Sequence, residues 1–363
     1  MRVFSYIKSS IYWPVGSLLK FARYRNKVDP FAEFSKMPQG LSETTVSEGN
    51  VLIIPVRVTP NSNLFDGLIG YALRRRGYKP FSLLCGAEMK ICENMNQRKS
   101  RFLACSLCMY EQKRFSNIFK MTELFYGSLV SKIRRDELIR LSKSVSIEDI
   151  FQYKNALGVC LGAHVEHGVS RYLLSGAIDT DGNERIIRDF FYSALISYEA
   201  TLNAIEKTKP KFVIMSHGIY STWGSCLEAC KVKGVRSVVW GRGYIGKGNI
   251  IASHNDSYLW DSINDSSVLW ENHKLGEKEK EKLHSYYIAK RSPSSTVDHV
   301  NYYKGTKQCM DVVSKLNLKK ERTRIGVYPN IPWDGKMFSS TKDFPDIAMM
   351  VHKLLIWANM NPD

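Results

Sequence analysis

Histidine, arginine and tyrosine recur where two successive apolar runs of this chain give way to glycine. The first run, Lys211-Phe-Val-Ile-Met215, is followed by SHGIYSTWG (Ser216–Gly224), which carries His217 and Tyr220. The second lies in VVWGRGYIGKGNIIASHNDSY and passes through Gly241, Arg242, Gly243 and Tyr244 to His254. A histidine can take a proton from a sugar hydroxyl because its pKa lies near neutrality. Arginine grips phosphate or carboxylate through paired hydrogen bonds, and glycine lets backbone approach a ligand closely. A lone histidine is more often structural. Here His217, Arg242 and His254 all fall where strands run out, so they are expected to converge on one cleft. GRGYIGKG alone is not a G-x-G-x-x-G fingerprint, because its third glycine is misplaced.

The elements that must position these residues follow from the apolar pattern. NVLIIPVRV reads as a strand buried on both faces, TPNSNLFDG as a loop, LIGYALRRRGYK as a helix and PFSLLCG as the next strand. That order is a βαβ unit, the opening of a doubly wound sheet. Residues from about 110 to 206 read as mostly helical, including TELFYGSLVSKIRRDELIRLSKS and NERIIRDFFYSALISYEATLNAIEKTK. KFVIMSH, TWGSCLEACKVKG and RSVVWG then form a second βαβ. KGNIIASH and DSYLW read as short strands or extended loops, and LGEKEKEKLHSYYIAKRS as a helix. RTRIGVYPN reads as a further strand, IPWDGKMFSSTKDFP as a long loop and DIAMMVHKLLIWANMN as a helix. In such a sheet, ligands sit beyond the carboxyl ends of strands.

The chain has 363 residues, 44% of them hydrophobic, enough to bury a core and to hold more than one domain. Its formal net charge of +17 predicts an anionic partner. The lysines and arginines are spread along the chain and often mixed with acids, as on solvated helix faces. With no RNP strand, zinc-finger spacing or zipper, nucleic acid is the weaker reading. Eight scattered cysteines without a secretory signal suit reduced thiols and a cytoplasmic location. Cys85, Cys92, Cys105 and Cys108 give C-x6-C-x12-C-x2-C; the C-x2-C pair is a zinc half-site, but C-x6-C is not a usual knuckle. Burial is the expectation for them, with zinc the lesser alternative.

The first 28 residues carry six basic and no acidic residues, interleaved with aromatic and aliphatic ones. Lys8 and Pro14 interrupt the segment too much for a signal peptide. It reads either as an interfacial segment on anionic lipid, peripheral to a membrane, or as a basic helix packed on the domain. Residues 29 to 50 are polar and turn-rich and read as a linker.

VIMSHGIYSTWG, VVWGRGYIGKGNIIASHNDSY and YPNIPWDGKMF together resemble bacterial capsule-polysaccharide biosynthesis glycosyltransferases with two Rossmann-like domains (the GT-B arrangement). GVCLGAHVEHGVSRYLLSG is similar to that family's segment in the same place. The resemblance runs from about residue 51 onward. It implies a first, acceptor-side domain over 51–320 and the start of a nucleotide-sugar-binding domain over 321–363, after an N-terminal segment and linker over 1–50. Catalysis is expected in the cleft between the domains, with no cofactor beyond the nucleotide-sugar, which is substrate. Family members continue into a strand with a His-Pro-Ala-Glu type motif that this sequence does not reach. About 40 residues cannot bury a separate strand and helix, so this piece either docks on the first domain or, the favoured expectation, begins an incomplete second domain in a chain inactive by itself.

Within that resemblance Asn330, Trp333 and Asp334 face the cleft, with Trp333 stacking on a ring and Asp334 serving a hydroxyl or acting as acid or base. His164 and Glu166, whose period-two spacing equally fits one face of an extended segment, are lesser candidates for the same cleft. Asn63 and Asp66, in the loop after the first strand, complete the set. The implied activity is sugar transfer to a glycan acceptor, lipid-linked at the inner membrane face. A glycerol-phosphate-type transfer on the same scaffold and a non-catalytic module binding an anionic membrane or nucleic acid are the alternatives.

Overall fold

The structure, a computed structural model, describes residues 2–24, 31, 34, 47–55, 60–95, 100–243, 249–258, 271–291, 297, 325–327, 333 and 347–361. These fall into two compact units. The first comprises the described residues up to Trp240 together with Ser253–Tyr258 and Trp333; the second comprises Gly241–Ala252 and the remaining described residues.

The chain opens with helix α1 (Arg2–Tyr24), followed by β1 (Gly49–Ile54), α2 (Pro60–Arg75) and β2 (Tyr78–Leu84). Helix α3 (Arg101–Phe119) leads into β3 (Thr122–Phe125). A helical stretch follows: α4 (Tyr126–Leu129), α5 (Lys132–Ser144), α6 (Ile147–Ile150), α7 (Gly162–Leu173) and α8 (Glu184–Thr208). Strand β4 (Phe212–Ser216), α9 (Ser225–Val232), β5 (Ser237–Arg242) and β6 (Ile250–His254) complete the sheet. In the second unit, α10 (Glu277–Lys290) and α11 (Ile347–Met360) bear out two expected helices.

The fold is α/β, with a six-stranded sheet in the order β3-β2-β1-β4-β5-β6. The first five strands are parallel, in register at Leu52↔Phe81, Ile54↔Met215 and Ser216↔Trp240. The last is antiparallel: Gly243 N donates to Asn249 O (2.8 Å) and Asn255 N to Ser237 O (3.0 Å). This is compatible with a Rossmann-like sheet. The unbroken apolar runs of β1 and β4 are buried, as strands covered on both faces require.

Helix α8 forms the central packing element of the first unit, burying Phe190, Phe191, Ile196, Ala200 and Ala204. Three of its buried hydroxyls are satisfied within the helix. Ser193, Thr201 and Thr208 donate to the carbonyls of Asp189 (2.8 Å), Ser197 (2.7 Å) and Ala204 (2.7 Å).

Four sequence expectations change. The TPNSNLFDG segment is not a loop throughout: α2 begins at Pro60, so Asn63 and Asp66 lie in its first turns. Proline at a first helical position is favourable because its missing N–H has no intrahelical partner anyway. Thr122–Phe125 is a strand pairing with Leu84 and its neighbours, not the start of a long helix. The segment carrying His164 and Glu166 is helix α7, not extended chain. Ile325–Val327, the described centre of the expected last strand, carries no strand pairing.

Candidate functional site

Strands β1 and β4 are neighbours whose onward connections leave toward opposite ends of the sheet: β1 continues to β2 on one side, β4 to β5 on the other. This is the topological switch point of a doubly wound sheet, where a crevice opens at the carboxyl ends. The first turns of α2 cover it from the β1 side. Asn63, Asp66, Gly67 and Gly70 share one buried stripe of that helix, spaced to face the sheet. Trp240, near the carboxyl end of β5, donates its indole N–H to Asp66 Oδ1 (2.7 Å) and pins the stripe in place. One turn earlier, Asn63 is fully buried, yet among the described residues neither polar atom of its side chain has a hydrogen-bond partner. A buried amide in that state costs about 1–3 kcal/mol unless something supplies its bonds.

On the β4 side, the chain leaves Ser216 through a contorted loop. His217, Gly218 and Tyr220 all have left-handed backbone (φ 62°, 65° and 69°). For the two non-glycine residues this costs about 1–2 kcal/mol each. A π-helical turn (Tyr220–Gly224) then feeds into α9. Strain and π-turns concentrated in one strand-to-helix connection are features of functional sites. The result is a half-buried His217 held on three sides. Its ring stacks on Trp223 (5.3 Å, 23°) and meets the Tyr258 ring edge-on (5.1 Å, 88°). Nδ1 is hydrogen-bonded with Ser216 Oγ. The His217 backbone is fixed too: its N–H donates to Trp240 O (2.8 Å), and its carbonyl accepts from Ser257 Oγ (3.1 Å). Gly218 fits because a Cβ there would lie 3.1 Å from Leu227, Ser257 and Val239.

Glu93, in the connection after β2, is a site residue that the sequence pattern does not single out. It accepts from the Thr222 N–H (3.1 Å) and from Thr222 Oγ1 (2.6 Å). A carboxylate therefore caps the π-turn entering α9 and occupies the polar groups an incoming anion would otherwise use. Trp223, Tyr258 and Trp240 were equally unmarked; only their aromatic character near the strand ends could have drawn notice.

His164 is buried on α7, its ring packed where a Cβ on Gly224 would stand 2.1 Å from Nδ1. Its Nε2 lies 3.9 Å from Glu228 Oε1 on α9. Lys231 Nζ reaches the same Glu228 oxygen at 2.9 Å. Burial pushes the Glu228 carboxyl up, but His164 and Lys231 beside it outweigh that and hold it below the ordinary carboxylate range. Two residues apart on a helix, His164 and Glu166 point to different sides, and Glu166 is only half-buried.

The expected convergence of His217 and His254 does not occur. Because β6 runs antiparallel to β5, its carboxyl end lies at the amino edge of the parallel strands. There His254 is exposed against Arg236, whose Nη2 stands 3.4 Å from both ring nitrogens. Arg242 is the last residue of β5 rather than part of the loop beyond it, and belongs to the second unit. Tyr220 is buried at the start of the π-turn. Trp333 is half-buried and groups with the first unit, not with a second domain. Tyr244, Asn330 and Asp334 lie outside the described residues.

Cys85, Cys92, Cys105 and Cys108 line one pocket, with Met89, Met95 and Met109 among its walls. Among the described residues, no three His, Cys, Asp or Glu side chains are gathered in a way that could hold a metal ion. All four are thiols rather than disulfide halves. Cys226 and Cys230 are buried on α9, as expected of packing residues, and burial drives the Cys230 thiol pKa up.

The switch point thus offers a clamped imidazole at one strand end and an unpaired buried amide above its neighbour. Such a pair can orient a polyhydroxylated ligand and accept a proton from it. No family model, curated protein or solved structure matches the chain.

Proposed function

We propose that this chain supplies the acceptor side of a glycosyltransferase of surface-polysaccharide assembly, which moves a sugar from a nucleotide-sugar to a glycan acceptor. The observation that carries the reading is the placement of His217: half-buried, clamped by Trp223 and Tyr258, at the carboxyl end of β4 where the sheet order reverses. An acceptor hydroxyl is a poor nucleophile until a positioned base removes its proton. The imidazole of His217, oriented by Ser216 Oγ at Nδ1, is the group that receives it. Asn63 donates to and accepts from a neighbouring hydroxyl, which relieves its unpaired state. The resemblance carried by VIMSHGIYSTWG and the later motifs points the same way, and supplies the sugar-transfer chemistry that the geometry alone leaves open.

The net charge of +17 favours a second reading, a non-catalytic module for anionic polymers. One experiment separates the two. The chain is incubated with a panel of nucleotide-sugars and an extract of lipid-linked and free glycans, and both sugar transfer and polyanion binding are followed. Saturable binding of a glycan acceptor, with or without transfer, supports the first reading. Salt-sensitive polyanion binding with neither transfer nor saturable glycan binding supports the second.

A further inference from the structure

We infer that the outward face of α1 is a docking surface for an anionic lipid bilayer, with Ile11, Leu18 and Phe21 as the inserting side chains. The inference goes beyond the chemistry proposed above and does not depend on it.

The orientation of α1 is fixed by its contact with α3. Tyr12, Gly16 and Lys20 meet Phe102, Ser106 and Tyr110 in the same order, so the two helices run parallel. At Gly16 the backbones approach so closely that a Cβ would stand 2.2 Å from Ser106 O and 2.7 Å from Tyr110 Cβ. Trp13 adds a ring contact with Tyr110 (5.6 Å). That seam uses up one apolar face.

A second apolar face remains on the opposite side. Ile11, Pro14, Leu18 and Phe21, spaced three, four and three residues apart, form an exposed stripe along α1. Ile11 is 53% exposed, Leu18 72% and Phe21 74%. Phe102 and Leu103, at the start of α3, add exposed apolar surface. A soluble helix with one partner needs one apolar face, so the second calls for another apolar medium.

Charge decides which medium. Helix α1 carries Arg2, Lys8, Lys20 and Arg23 and no acidic residue. A second copy of the chain would bring two such helices together, cation against cation. An anionic headgroup layer instead offers acyl chains to the stripe and negative charge to a helix that carries four cations and no acid. Among the described residues no helix is long and apolar enough to cross a membrane, so α1 would lie in the interface.

The test is vesicle sedimentation of the full chain and of Leu18→Asp/Phe21→Asp. Both side chains point away from the protein, so the variant should keep the wild-type melting curve. Vesicles of mixed phosphatidylglycerol and phosphatidylcholine should bind the wild type, and binding should weaken as salt is raised. The double variant should bind at least about tenfold more weakly, because two apolar anchors are replaced by like-charged repulsion. Pure phosphatidylcholine should bind little of either. Equal binding of both proteins to anionic vesicles overturns the inference, as does wild-type binding indifferent to lipid charge and salt. A wild-type dimer in light scattering that the substitutions dissolve, without vesicle binding, would assign the face to a second copy and overturn it as well. Should the variant melt early, the lipid-charge and salt dependence of the wild type still decides.

Discussion

The indole N–H of Trp240 in β5 donates a 2.7 Å hydrogen bond to Oδ1 of Asp66 in α2, across 174 residues of sequence and between two buried side chains. This bond ties the helix after the first strand to the fifth strand and so spans the switch point between β1 and β4. It fixes the position of α2 and with it that of the buried Asn63.

Replacing Asp66 by Ala should therefore cost about 2–3 kcal/mol, since it strands a buried N–H donor. Trp240→Phe should also be destabilising, because it removes one hydrogen-bond donor from the buried carboxylate. The two losses should not add, and a double-mutant cycle in urea unfolding checks the coupling. Additive losses would show that each side chain acts through other contacts.

Asn63 predicts an opposition between stability and binding. Asn63→Leu is close to isosteric and removes two unsatisfied polar atoms, so the fold should gain about 1 kcal/mol or stay level. The same change should weaken glycan acceptor binding at least about tenfold if the amide serves a hydroxyl. Urea unfolding and acceptor titration measure the two effects separately. A destabilised Asn63→Leu would mean that the amide is bonded in solution.

These features divide by how locally they are encoded. Strands β1, β4 and β5 were legible because continuous apolar runs require two-sided cover, and that placed His217 at a strand end. The start of α2 was within reach, since Pro60 stands at a favoured first helical position, but the polar residues around it masked the signal. For α7, Val165 and Val169 share the buried side at helical spacing, and the period-two pair His164 and Glu166 misled. Strand β3 is four residues long, too short to show a period. His254 went astray for another reason: an apolar run does not encode the direction of its strand. Glu93 meets Thr222 over 129 residues, and no local pattern announces such a contact.

The His164–Glu228–Lys231 contact makes a prediction for acid stability. The Glu228 carboxyl titrates below its ordinary value in the folded protein, so its ionised form stabilises the fold. That contribution is complete above the unfolded value of about 4.5 and is lost as pH falls through the lower folded value. Glu228→Gln should thus lower stability at neutral pH and flatten the decline of stability below about pH 4.5. Melting temperatures of both proteins from neutral to acid pH show whether the curves converge. Curves that stay parallel would remove Glu228 as a contributor.

Gly16 predicts how α1 is held. A valine there would drive its side chain into the Ser106 carbonyl and Tyr110, neither of which can retreat without moving α3. Gly16→Val should release α1 from its seam while the sheet domain stays folded. Limited proteolysis should cut near residues 2–24 far sooner than in the wild type, with the far-ultraviolet spectrum otherwise little changed. Unchanged protection would place the contact elsewhere.

The sharpest test concerns His217. If the imidazole removes the acceptor proton, His217→Ala should lower sugar transfer by at least about a hundredfold, the scale of a lost general base. His217→Gln keeps a polar side chain but cannot cycle a proton, and should be nearly as slow. A purely structural histidine predicts something different: Gln would restore much of the rate, and loss would track a falling melting temperature, because Trp223 and Tyr258 lose their packing partner. The pH profile adds a second criterion. With a histidine base, the wild-type rate should fall on the acid side as the imidazole protonates, and the residual rate of either variant should lack that limb. Ser216→Ala leaves the ring but removes its Nδ1 partner, so it should slow turnover less than His217→Ala does. Near-wild-type transfer by His217→Ala would exclude the imidazole as the base. Asp66 and Glu93 would then be the described carboxylates nearest the switch point to examine in its place.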